Sequence, residues 1–353
     1  MDKILENAEY RIQDTEYRMA ETQDSKSVVI ERPPKVYLDT NHLINVSKVR
    51  KGQRLQTSET EENYRHIDEY LKSYCALIFN PVATMDWVGG KATQQSIREI
   101  AAVIDSAKLK CTIPESDHLV YTYEVLEQCH KQNPSMRVPD LPPIFQNISD
   151  NCAIRSSLAI LARDVPDYLE EGQNEKIREQ GGLPTEIPVL SAGEWVKGIF
   201  NRRQANPEDY DKRISDFKNQ LAYDIQNKDV YFCDSERYRR DWLKRLLKID
   251  RILRAFNPGC DIDAILQKTD VEDCPAITLY WTVREKRMRS GVPPTANDVD
   301  DYGYIPVIPY ADIVLIERQL REFVLQADKS LEAKVFSKVS DALNALESQR
   351  FAW

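Results

Sequence analysis

Val36-Tyr37-Leu38-Asp39-Thr40-Asn41 is a short apolar run that stops abruptly at three polar residues and passes into His42-Leu43-Ile44-Asn45-Val46. An apolar run of this length, followed at once by residue types that cap helices, reads as a buried strand running into a helix. The same arrangement returns near the far end of the chain, where Ile313-Val314-Leu315-Ile316 ends at Glu317. Two buried strands that each end in an acid indicate an α/β fold. They also put both acids at the carboxyl ends of strands, where parallel sheets form their ligand crevices.

Working outward, Tyr64, Ile67 and Leu71 share a helical face, and Ala76-Leu77-Ile78-Phe79 predicts a second strand. Pro81-Val82-Ala83-Thr84-Met85-Asp86-Trp87 follows, and then an amphipathic helix with Ile97, Ile100, Ala101 and Ile104 on one side. This alternation predicts a parallel sheet. Four regions are expected. Residues 1–34 form an N-terminal arm closed by Pro33 and Pro34, and residues 35–132 are the first part of the α/β core. Residues 133–255 form a mainly helical insertion, punctuated by Pro134, Pro139, Pro142, Pro143 and Gly181-Gly182. Residues 256–353 complete the core and end in helices.

Composition narrows the function classes. With 353 residues, 42% of them apolar, the chain can bury a substantial core. No segment has the unbroken apolar length of a membrane span and the N-terminus lacks a signal-peptide core, so a cytoplasmic protein without membrane contact is expected. The seven cysteines are scattered and never form a C-x-x-C pair, which disfavours structural zinc and a disulfide frame. The histidines His42, His66, His118 and His130 show no ligand spacing, and hydrogen-bonded or solvated roles fit them better. There is no P-loop and no G-x-S-x-G.

A net charge of −9 argues against coating nucleic acid over the whole surface, so local basic patches must do any such work. Arg237, Arg240, Lys244, Lys248 and Arg251 follow steps of three and four, forming one stripe if residues 236–255 are a helix. The plain alternative is the solvated face of an amphipathic helix. The sharper expectation is that this stripe, with Arg284 and Arg287, borders the acidic crevice and guides a phosphate backbone.

Asp298 and Asp301 stand at the start of the segment feeding the Glu317 strand. A helix there would run antiparallel to the strand and return its N-terminus to the same edge. Several carboxylates so gathered repel one another, an arrangement that makes physical sense when a divalent cation neutralises them, and Mg2+ or Mn2+ suit oxygen ligands. Each acid also has a plain explanation. Asp39 is a natural N-cap, Asp298 with Asp301 makes a capping arrangement, and Asp86 suits an exposed helix start. Asp312 is expected to cap or pair near the start of its strand, away from the crevice.

Val36 to Asn41 resembles the first motif of the PIN-domain nucleases, the superfamily that includes VapC-type toxins. Asp298-Val299-Asp300-Asp301, followed by Ile308-Pro309-Tyr310-Ala311-Asp312 and a strand ending at Glu317, resembles the C-terminal motif of larger bacterial PIN-like proteins. The resemblance covers roughly residues 35–110 and 275–350. It implies a PIN-like α/β/α sandwich with a central parallel sheet, and a metal-dependent endoribonuclease whose catalytic residues are Asp39, Asp86, Asp301 and Glu317. Asp39, Asp301 and Glu317 would hold Mg2+ or Mn2+, Asp298 is a further candidate ligand, and Asn41 supports the site. RNA is the implied substrate, in a toxin or antiphage-defence setting, with a protein partner or regulator at the arm or insertion and a homo-oligomer as further expectations. Three departures stand out: Asp86 where Glu is usual, Glu317 where the final Asp is usual, and Ile316 where Thr or Ser often sits. The rival readings are a PIN-like assembly scaffold without turnover, and a phosphatase using the same carboxylates.

Overall fold

The computed structural model describes residues 32–55, 59–79, 94–112, 117–148, 153–165, 182–188, 247–291, 302–303 and 305–351, with isolated positions between 168 and 244. In chain order, Lys35–Leu38 forms β1, Thr40–Arg50 α1, Glu61–Ser73 α2, Ala76–Phe79 β2, Gln94–Asp105 α3 and Leu109–Thr112 β3. Asp117–Gln132 forms α4, Gln146–Ile148 β4, Ala153–Arg155 β5, Ser157–Asp164 α5 and Glu186–Pro188 β6. Then come α6 over Ile249–Phe256, α7 over Ile262–Lys268 and α8 over Pro275–Ser290. A 3-10 helix over Ile305–Tyr310 leads into β7 (Ile313–Leu315), followed by α9 (Arg318–Ala327), β8 (Val335–Phe336) and α10 (Val339–Phe351).

The main sheet has the order β4-β3-β2-β1-β7-β8. Pairing is parallel from β3 through β8, while β4 runs antiparallel to β3, so the sheet is mixed where a wholly parallel one was expected. The exception is an edge strand, where only one neighbour constrains direction. Side chains alternate between two cores. Tyr37, Ile78, Cys111, Val314 and Val335 point into one, with buried residues of α4, α8 and α9. Val36, Leu38, Leu77, Phe79, Ile313 and Leu315 point into the other, with α1, α2, α3 and α10. Helices on both faces of the sheet make three layers, and strands buried on both sides explain the continuous apolar runs in the sequence.

The middle of the chain packs into the first of these cores, which includes Met136, Leu161, Val165, Leu243, Leu247 and Ile252. It also supplies strands that the expectation of a mainly helical insertion did not include: β4 joins the main sheet, and β5 pairs antiparallel with β6 through Ile154 and Ile187. The predicted helix over 236–255 is interrupted at Lys248, whose φ of 51° lies in the left-handed region, and α6 starts afresh at Ile249. Leu247 and Ile249 are both buried. The left-handed residue between them ends the helical run, and α6 begins directly after it. The basic stripe therefore does not run along one helix.

A buried acid joins the two parts of the core, residues 35–132 and 256–353. Glu124 on α4 accepts hydrogen bonds from the backbone N–H groups of Ala276 (2.7 Å) and Ile277 (3.0 Å), which are unpaired donors in the first turn of α8. The hydroxyl of Tyr310 donates to the same carboxylate. Burial pushes the Glu124 carboxyl up, while these three donors pull it back. At the other end of α8, Gly291 adopts φ 67° and closes the helix. Among the described residues no helix is long and apolar enough to cross a membrane.

Candidate functional site

The strand order reverses at β1, since β2 and β3 lie on one side and β7 and β8 on the other. Such a switch point leaves a crevice beyond the carboxyl ends of the two central strands. Asp39 directly follows β1, and its N–H donates to Leu315 O in β7 at 2.9 Å. Glu317 lies two residues beyond β7, and the Asn41 side-chain amide donates to its Oε1. Residues 276 positions apart are thus brought together at one sheet edge.

The two acids differ in setting. Asp39 is 3% exposed, and its Oδ1 accepts from His42 N at 3.1 Å, so it caps α1. The plain N-cap explanation is therefore fulfilled, at the carboxyl end of β1. Glu317 is exposed and begins α9 without capping it through its side chain.

Behind these residues lies a buried polar network. His42 Nδ1 is 3.0 Å from Tyr64 Oη, to which Asn45 Nδ2 donates at 3.0 Å. Burial lowers the His42 pKa to about 4, against the opposing charges of Glu59 and Glu317. Burial likewise raises Tyr64 to about 12; the Asn45 hydrogen bond opposes this, while the charges of Glu59 and Asp39 add to it. His42 is therefore neutral at neutral pH.

Glu59 is an acid that sequence reasoning missed. It is partly buried in the turn before α2 and accepts from Asn63 Nδ2 at 2.9 Å. Its charge acts on both His42 and Tyr64, as those of Glu317 and Asp39 act on one each. No apolar run marks Glu59 in the sequence, and its Thr60-x-x-Asn63 context reads only as a helix start.

Asp86, Asp298, Asp301, Arg237 and Arg240 lie outside the described residues. Asp312 is engaged at the start of β7, where it accepts from Lys35 N at 2.8 Å and pairs with Arg32. The basic residues have mixed placements. Lys244 pairs with Asp263 at 2.7 Å, and Lys248 Nζ donates to Tyr168 O at 2.6 Å. Arg251 is exposed on α6. Arg284 donates to Tyr280 Oη at 2.8 Å and lies over the Trp281 ring. Arg287, expected at the surface, is only 3% exposed and sits over the Phe323 ring, because its position on α8 faces α9 rather than solvent.

Among the described residues no group of three or more His, Cys, Asp or Glu side chains is arranged to hold a metal ion. The chemistry of the crevice donors, carboxylate oxygens from Asp39 and Glu317, suits a hard cation. Burial raises the thiols of Cys75 and Cys111 to about 12, which removes them as nucleophiles. His42 and His130 make the hydrogen bonds expected of them. Comparison of the chain with protein-family models, with curated proteins and with solved structures finds no match in any of the three.

Proposed function

We propose that this chain is a metal-dependent endoribonuclease of the PIN-like kind, acting in the cytoplasm at the carboxyl edge of β1 and β7. The observation that carries the reading is the convergence of Asp39 and Glu317, joined through Asn41, at the switch point of the sheet. Helices on both sheet faces support the PIN-like α/β/α sandwich. Asp39 and Glu317, with Asp301 and Asp298, would hold Mg2+ or Mn2+, and Asp86 would complete the acidic set. When bound, such a cation activates water for in-line attack on a phosphodiester and stabilises the charge that develops.

The chain's own residues have separate tasks. Asn41 orients Glu317, and the first turn of α1 fixes the Asp39 carboxylate through the His42 N–H. The Asn45–Tyr64–His42 network ties α1 to α2. With its pKa near 4, His42 is too weak a base to serve as the general base. The test is cleavage of labelled RNA by the purified chain with Mn2+ or Mg2+, abolished by chelation and by either Asp39→Asn or Glu317→Gln. Cleavage that survives both substitutions would remove the site from the reaction. The scaffold reading draws on the structural duties both acids already have, Asp39 as a cap and Glu317 as the partner of Asn41. It gains if no divalent metal elicits cleavage.

A further inference from the structure

The opposite edge of the sheet carries a different chemistry. Lys35 opens β1, Asp312 directly precedes β7 and Lys334 directly precedes β8. Together with Arg32, Phe145 and Tyr310 they line a cavity of about 540 Å3. Four residues of β1 separate this cavity from Asp39, roughly 13 Å at the rise of an extended strand. It is therefore distinct from the carboxylate crevice.

We infer that this cavity binds the phosphate group of a small phosphate monoester. Three cationic side chains in the lining face a single carboxylate there, Asp312, which already accepts from Lys35 N and Arg32. Among the described residues neither Lys35 nor Lys334 has a carboxylate within ion-pair distance. The Lys35 ammonium instead lies 4.7 Å from the centre of the Phe145 ring, and that of Lys334 donates to Pro309 O at 2.8 Å. The lining thus has two positive charges more than it balances. Asp328, just outside it, is occupied with Ser330 N and Oγ and offsets this only in part.

Two partly buried ammonium groups that share a single lining carboxylate with Arg32 are underbalanced, and an anion delivered to them recovers part of the cost of their burial. Burial lowers the pKa of both lysines, Arg32 adding to the effect at Lys35, while the charge of Asp312 opposes it at both and that of Asp328 at Lys334. A monoanionic carboxylate would leave a surplus, whereas a phosphate monoester carries a charge of about −1.5 to −2 at neutral pH. The volume exceeds what phosphate alone fills and lies within the range of small-molecule pockets, and the Phe145 and Tyr310 rings supply an apolar wall for the organic part.

The inference is independent of the nuclease reading and is tested with EDTA present, so that no metal engages the crevice. Calorimetric titration of the full chain should show saturable binding of adenosine 5′-monophosphate, weaker binding of inorganic phosphate and none of adenosine. A Lys35→Met, Lys334→Met double variant should weaken the monophosphate at least tenfold. Arg32→Ala, at an exposed position before β1, should weaken it several-fold with an unchanged thermal midpoint. Equal binding of a 5′-phosphorylated tetraribonucleotide would identify RNA ends as the source of the phosphate. Exclusion of that oligonucleotide would identify a free metabolite. No saturable binding of either monophosphate or phosphate overturns the inference. So does unchanged affinity in the double variant or, if that variant fails to fold, in Arg32→Ala.

Discussion

Replacing Asp39 by Asn and by Ala separates the two roles this residue combines. Its Oδ1 accepts from His42 N at 3.1 Å, an N-cap bond that a side-chain amide oxygen makes equally well. Asn loses the favourable interaction of a charge with the N-terminus of α1, worth about 0.3–1 kcal/mol, but also relieves repulsion from nearby acids. The net change in stability for Asn should be within a few tenths of a kcal/mol, on the order of measurement error. Ala removes the acceptor at a site only 3% exposed and should cost about 1 kcal/mol, up to roughly 2. For a chain of this length that is a midpoint shift of only about 2 °C, so urea unfolding is the better measurement. Each variant would also be assayed for RNA cleavage with Mn2+. If the charge holds a cation, both variants lose cleavage by more than about a hundredfold, the upper range for losing even an outer partner of a metal ligand. Asn would do so at parental stability. An Asn variant that cleaves at the parental rate would show Asp39 to be a cap and nothing more.

Three further outcomes follow from the geometry. Burial holds His42 neutral down to a pKa of about 4, whereas the unfolded chain protonates it below about 6.5. The folded state therefore pays no penalty above pH 6.5 and loses about 2 kcal/mol from this group by pH 5. Urea unfolding at pH 7.5 and 5 should show a smaller acid loss in His42→Gln than in the parent; equal losses would refute the assignment. Tyr310→Phe removes the hydroxyl that donates to buried Glu124 and should cost about 1.5–3 kcal/mol in equilibrium unfolding. A loss below about 0.5 would mean that the backbone donors of α8 suffice to hold that carboxylate. Gly291→Ala meets no atom within 4 Å, so its cost is conformational, about 1 kcal/mol at φ 67°. A neutral result in thermal unfolding would show that α8 can end in another way.

The central strands were legible because both their faces are buried, which leaves the sequence no room for polar positions. Val36 to Leu38 and Ile313 to Ile316 read as strands for that reason. The edges were not. Leu109-Lys110-Cys111-Thr112 begins exposed, Gln146-Asn147-Ile148 is polar, and β8 has two residues, so none carries a periodic signal. The anchor of Glu124 at the start of α8 was hidden for another reason. Its partners lie 152 and 186 residues away, and no local pattern specifies a meeting at that range. The break at Lys248 escaped a reading by helical steps because it rests on one residue's left-handed backbone, which a pattern of charged and apolar positions does not mark.

A glutamate rather than an aspartate at position 317 has a geometric consequence. An Asp beginning α9 would have its carboxylate within capping reach of that helix's own first N–H groups, as Asp39 caps α1. Glu carries its carboxylate one methylene further, and Glu317 makes no such cap. Its Oε1 is instead met by Asn41, on the first turn of the helix that Asp39 caps. The longer side chain thus transfers the carboxylate from the service of α9 to the neighbourhood of α1. Ile316 follows the same logic. It is fully buried in the core with Tyr37 and Val314, where a hydroxyl would need a partner, so this position packs the sheet rather than lining the crevice. The polar side chains that the strand order brings to this edge are therefore Asp39, Asn41 and Glu317, with Ile316 turned into the core behind them.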